Sequence, residues 1–540
     1  MTTIDTAPTT TTASSTSGLV AAVGEWITTS DHKRLGRMMM VLGLLALGGI
    51  AVVGGLLGFE RIDTDSVSLD TGSLGQLFSI FRVGLAFFVV VPLMLGLAVA
   101  IVPLQLGARS LALPRLAAAG FWAWFFGMVL VVISISANGG PGGGASKYVA
   151  LFISSFGVMV GGLFMVALSL ATTVLTTRAP GMNMRRVPLF SWSVLVSALG
   201  LILMLPVAIG ATIYLYVSYR YNRTPFGGNY GILGYLGFSL TQPATYIYVL
   251  PAIGLTAELI PVTARSRMPM RQIVLAGLGL VGVAAFAGVT QSSFELPWTG
   301  SKLYLGDFFW DKLGHLLNYA FFVGLPVLGA VIVLLLGPLA FKGGRPKINA
   351  PFVFGFFGLG MILVGMVGGL LYGVVDLGLQ GTVFEEGAYV YVAYGAVLSA
   401  LGGITYWGPK LWGRSIDEKK VGPLALLGVL ATILASLPYY IAGFADQPGG
   451  QVSFSYSGNP ELWNTLATVG HGLMLLTLLA FAGLAMTSFR TGKLAGDDPR
   501  DGQTLEWATS SPPPTENFSE LHTVASAEPL LDLKTSTEAS

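Results

Sequence analysis

Long apolar runs broken by short polar connections dominate this chain. Twelve of them are long enough to cross a bilayer, near 36–58, 77–104, 117–138, 148–176, 189–218, 243–264, 272–292, 315–340, 351–376, 387–411, 421–443 and 461–489. A hydrocarbon core of about 30 Å needs roughly 20 apolar residues per helix. The pattern therefore predicts an all-α polytopic membrane protein of twelve transmembrane helices. Glycine-spaced strings such as GGLLG, GLGLVG and GFFGLG suit helices that approach closely in lipid, where small residues line the contacts.

The flanks read differently. Residues 1–24 are rich in Thr, Ser and Ala, with no apolar core of a signal peptide, and are expected to be disordered. Residues 25–490 form the membrane domain. Residues 491–540 are polar and proline-containing, with no apolar period, and read as a tail.

Lys and Arg gather in alternate connections, among them Arg109, Arg115, Arg178, Arg185, Arg186, Arg265, Arg267 and Arg271. The positive-inside rule then places those loops and both termini in the cytoplasm. The opposite loops carry acidic residues, including Glu60, Asp63, Asp307, Asp311 and Asp376.

Composition narrows the chemistry. Of 540 residues 53% are hydrophobic and 10% charged, which excludes an ordinary soluble domain. The net charge of +2 gives no reason to expect nucleic acid as a partner. Absence of cysteine rules out disulfides, thiolate metal sites and iron–sulfur ligation by this chain.

Several strings together resemble subunit I of the haem–copper oxidases, the cytochrome c oxidase family. They are WITTSDHKRLG from Trp26, PLQLGARSLALPRL from Pro103, GTVF from Gly381, YWGPKLWGR from Tyr406 and DPRDGQTLEWATSSPPPTENF from Asp498. The resemblance covers roughly residues 25–520. It implies a twelve-helix bundle holding two haems and a copper through six histidines, a residue suited to both metals. This chain has four histidines. Two of them, His32 and His522, are expected outside the membrane core.

The resemblance places other residues at each ligand position. Phe81 stands where a low-spin haem ligand is implied, with Arg82 beside it. The sixth-span string TQPATY has Gln242 at the copper ligand and Ala244 at the proton-relay carboxylate, while Tyr246 is kept. Gln291 and Ser292 match the paired copper ligands of the seventh span. Ala388 and Val390 match the haem ligands of the tenth. The arginine pair implied at the haem propionates falls on Gly449 and Gly450. The implied proton-path aspartate falls on Ser110, and the lysine of the second path near Ala330.

Three side-chain groups remain as candidates. His471, between glycines in VGHGLML, is a candidate relocated haem ligand or a satisfied polar residue in the bundle. His315, with Asp307, Asp311 and Glu295, is a candidate surface metal site or a charged loop cluster. Arg82, Glu258, Glu385 and Glu386 are ionisable within spans and so invite functional explanation. Arg82 is expected to pair with Glu385 or Glu386, and Glu258, near Arg265 in sequence, to be structural.

The leading expectation is a degenerate, non-catalytic structural or assembly subunit of a respiratory membrane complex. It would hold no copper or haem, and would sit with other oxidase-type membrane subunits in the cell's inner (plasma) membrane. One alternative is an active haem-binding oxidoreductase using His471. Another is a channel or carrier using the emptied cavities.

Overall fold

A computed structural model describes residues 24–534 except 64–67, 70, 142, 222–235, 291–293, 297–308, 453, 455–457, 519, 521–522 and 533. Gln291, Ser292, His522 and Asp307 lie outside the described residues. Twelve helices are long and apolar enough to cross a membrane. They are α1 (His32–Glu60), α2 (Ser73–Gln105), α3 (Pro114–Ser136), α4 (Ser146–Thr176), α5 (Leu189–Tyr221) and α6 (Tyr246–Ala264). The rest are α7 (Arg271–Thr290), α8 (Leu313–Gly343), α9 (Ala350–Gly373), α10 (Phe384–Trp412), α11 (Glu418–Phe444) and α12 (Pro460–Thr491). The protein is a multi-pass helical membrane bundle.

Side chains at the helix starts satisfy the free amides that every helix leaves there. Asp31 caps α1 through Lys33 N, Asn349 caps α9 through Phe352 N, and Asn459 caps α12 through Leu462 N. Consecutive helices pack side by side, and α12 returns against α1. Inside this arrangement α2, α6 and α10 touch one another, and the most apolar stretch of each is wholly buried. These are the three helices on which most of the candidate positions lie.

Glycine sets several of the helix contacts. A Cβ on Gly162 of α4 would lie 2.5 Å from Gly120 O of α3. A Cβ on Gly358 of α9 would lie 2.6 Å from Gly395 O of α10. Backbones this close admit no larger residue.

The C-terminal tail is no loose extension. Leu505, Trp507, Phe518 and Val524 are buried in the same core as the helices. Residues 497–518 form a strap held largely through its backbone: Lys33 Nζ donates to the carbonyls of Pro514 and Thr515, and Lys410 Nζ to those of Asp497 and Thr509. Trp507 Nε1 donates to the Tyr406 hydroxyl at 3.0 Å. The segment reads as polar because its anchors are few, aperiodic and supported by carbonyl groups rather than by an apolar face. The strap also covers His32. It begins α1 and is buried beneath the strap, with Nδ1 3.0 Å from Val99 O and Nε2 2.9 Å from Asn517 Nδ2. Donation from Nδ1 to the carbonyl leaves Nε2 to accept from the amide.

Candidate functional site

The sixth-span string sits at the mouth of α6, where Thr241–Thr245 form turns before the helix begins. Tyr246 is fully buried, and its hydroxyl donates to Gln242 Oε1 at 2.8 Å. Helix α9 closes over the pair: a Cβ on Gly369 would lie 1.9 Å from Gln242 Oε1 and 2.2 Å from the Tyr246 hydroxyl. A buried tyrosine whose hydroxyl has found a partner is the ordinary arrangement.

Phe81 and His471 meet across α2 and α12 with ring centroids 5.6 Å apart, edge to face. His471 is buried, and its Nδ1 lies 2.7 Å from the Tyr394 hydroxyl of α10. On the α1 side, a Cβ on Gly54 would come within 2.8 Å of His471 and 2.7 Å of Phe81. The histidine is thus wedged among side chains. Tyr394 was invisible as a partner in sequence; its position six residues past Ala388, on an apolar buried helix, was the available signal.

Between α2, α6 and α10 a void of about 10 Å³ lies among Leu85, Tyr248, Tyr389 and Val392. That is roughly the space for one water at most. Ala388 and Val390 are buried close by on α10. Helix α2 passes this region as a π-helical stretch, Gly84–Val90, immediately after Phe81 and Arg82.

A larger cavity of about 280 Å³ opens at the far end of the bundle from the strap. Phe78, Phe81, Arg82, Glu385, Glu386, Tyr389, Gly449 and Gly450 line it. Arg82 pairs with Glu385, as the sequence predicts, and the Tyr389 hydroxyl donates to Arg82 O at 2.8 Å. Glu386 instead pairs with Arg61, which donates from Nη1 and Nη2 at 2.7 and 2.9 Å. Gly450 N donates to the same carboxylate at 2.8 Å.

Arg61 is the residue that sequence reasoning missed. It follows α1 directly, is 0% exposed, and also donates to Gln451 O at 2.8 Å. Its guanidinium lies 4.8 Å from the centroid of Phe78. Burial alone would lower its pKa, but the Glu386 carboxylate, with Tyr439, outweighs this and holds it above the ordinary arginine value. A carboxylate inside an apolar helix demands such a partner.

Glu258 lies near Arg265 in sequence but does not pair with it. Arg265 turns away to Asp501. Glu258 accepts from Phe190 N at 3.2 Å and faces Glu506 of the strap. His315 Nδ1 lies 3.2 Å from Glu295 O, a backbone contact. Among the described residues no three His, Asp or Glu side chains converge as a metal site. Ser110 is exposed in the loop after α2, and Ala330 is buried in α8.

The profile of the family described as Cytochrome C and Quinol oxidase polypeptide I matches residues 34–473. The cytochrome c oxidase subunit 1 of Bacillus subtilis is 28% identical over 94% of this chain and 82% of its own length. A probable cytochrome c oxidase subunit 1-beta of Nocardia farcinica is 29% identical over 94% of this chain and 87% of its own. The quinol oxidase subunit 1 of Bacillus subtilis is 26% identical over 94% and 80% respectively.

Proposed function

The chain belongs to the Cytochrome C and Quinol oxidase polypeptide I family, and from that premise we propose that it is a non-catalytic structural or assembly subunit of a respiratory membrane complex. The observation that carries this reading is the Gln242–Tyr246 pair under Gly369. At the position where the family resemblance implies copper, an amide and a phenol bond to each other and α9 sits on both. Neither group is a ligand of the imidazole kind that copper favours.

The haem positions support the same reading. A cofactor pocket occupies about 300–1,000 Å³; the void between the inner helices is about 10 Å³, and the 280 Å³ cavity beside Phe81 is lined by the paired charges of Arg82 and Glu385 and by Glu386. His471, the candidate relocated ligand, spends Nδ1 on Tyr394 and is boxed in by Phe81 and Gly54.

The carrier reading draws on the cavity beside Arg82. Beneath that cavity the Tyr389–Arg82 hydrogen bond and fully buried Leu85 and Phe87 stand across any path inward. We therefore favour a scaffold, in an inner (plasma) membrane with both termini cytoplasmic, in contact with other oxidase-type membrane subunits.

Affinity purification of a tagged copy from native membranes tests the assignment. The expected result is near-equimolar recovery with other oxidase-type membrane subunits. Recovery as a lone chain that moves solutes when placed in liposomes would support the carrier instead.

A further inference from the structure

We propose that Glu506 of the strap and Glu258 of α6 form a buried proton-binding pair that makes the seating of the strap on the bundle depend on pH. The inference rests on the burial of the two carboxylates and on the unpartnered oxygen of Glu506, and it does not depend on the scaffold assignment.

Glu506 is 0% exposed. Its Oε1 accepts from Trp407 Nε1 at 3.1 Å and Gln105 Nε2 at 3.2 Å. Its Oε2 is buried and has no hydrogen-bond partner among the described residues. Glu258 is buried on the other side of Gln105: it accepts from Phe190 N, and the adjacent Ser191 donates to Gln105 Oε1, whose amide donates to Glu506.

None of the surrounding cations hydrogen-bonds to either carboxylate among the described residues. Lys410 Nζ, on α10, donates to strap carbonyls and reaches Glu506 only through its charge. Arg271, on α7, gives Nη1 to Glu528 and Nη2 to Val187 O, has no partner at Nε among the described residues, and offsets Glu258 only through its charge. Arg500 of the strap pairs with Glu418, and Lys534 with Asp498. The remaining titratable neighbour is the Tyr406 hydroxyl, which accepts from Trp507 and can offer its own proton to the site.

A carboxylate sealed from water ionises less readily. Burial pushes Glu506 above the ordinary glutamate value, against hydrogen bonds that favour its charge. The seated strap therefore keeps a proton that the detached strap, open to water, has lost. Whichever state binds more protons is favoured by acid. The contribution to seating is fully present below the ordinary glutamate pKa of about 4.3 and is lost as pH rises from there through the raised value.

Hydrogen–deuterium exchange on the purified full chain in lipid nanodiscs, from acid to mildly alkaline pH and corrected for intrinsic exchange rates, tests this. Peptides covering 502–518 report the strap, and peptides from α12 report the bundle. In the wild type the opening constant of the strap is expected to rise with pH, by at most about tenfold per unit for one proton, while α12 stays protected. Glu258→Gln and Glu506→Gln each keep an acceptor oxygen and are expected to flatten that slope. A flat wild-type profile overturns the proposal, as does the same slope in wild type and in whichever variant keeps α12 protected.

Discussion

Arg61→Met lowers the stability of the purified protein by about 3 kcal/mol, read as an earlier unfolding transition in detergent. The substitution removes two charge-assisted hydrogen bonds and leaves Glu386 beside apolar and aromatic surface. Removing one partner of a buried pair costs more than the pair's net worth, because the other charge is left uncompensated. The lower end of the usual range applies because Glu386 keeps 21% of its side chain exposed. Two comparisons make the result specific. Adding Glu386→Gln recovers part of the loss, since the stranded charge is gone. Arg82→Met costs under about 1 kcal/mol, because Arg82 and Glu385 keep 37% and 23% of their side chains exposed. Equal losses for Arg61→Met and Arg82→Met would show that burial of the pair is not what matters.

Gly470→Ala destabilises by about 2 kcal/mol, whereas Gly472→Ala is neutral or gains up to about 1 kcal/mol. The two glycines flank the same histidine but face different surroundings. A Cβ on Gly470 would lie 2.1 Å from Ala435 N and 2.6 Å from Ala435 Cα, so the backbones of α11 and α12 must separate. A Cβ on Gly472 meets nothing within 4 Å. There the change only restricts an otherwise flexible residue in a helix. Thermal unfolding of the two variants side by side checks both signs. If both were neutral, the close approach of α11 and α12 at His471 would be wrong. The glycines of VGHGLML are thus accounted for by one helix contact and one open face.

Much of the architecture was legible because the bilayer imposes it. A helix must be long and apolar to cross hydrocarbon, so the twelve runs predicted the twelve helices closely. The pairing of Arg82 with Glu385 was legible for a related reason, since charges within spans need partners. Arg61 was not legible. Nothing local in the sequence shows that Gln451 and Glu386 fold over it. Glu258 was read against its sequence neighbour Arg265, while its true neighbour is Glu506, brought back by the tail. That return was hidden because Asn517, Trp507 and Phe518 are isolated anchors rather than a periodic face.

The candidate site divides in the same way. Residue identities at Phe81, Gln242, Ala388 and Val390 were open to reading, but their surroundings were not. Which side chains fill the space depends on α9 at Gly369 and on α10 at Tyr394, both far away in sequence. Sequence spacing carries no signal for such contacts.

The most direct test of the non-catalytic reading is a pyridine haemochrome spectrum, with copper determined by elemental analysis, on protein purified after expression in haem-sufficient cells. The account predicts far less than one haem and one copper per chain. Stoichiometric haem whose spectrum is lost in His471→Ala, or stoichiometric copper lost in Gln242→Ala, would contradict it.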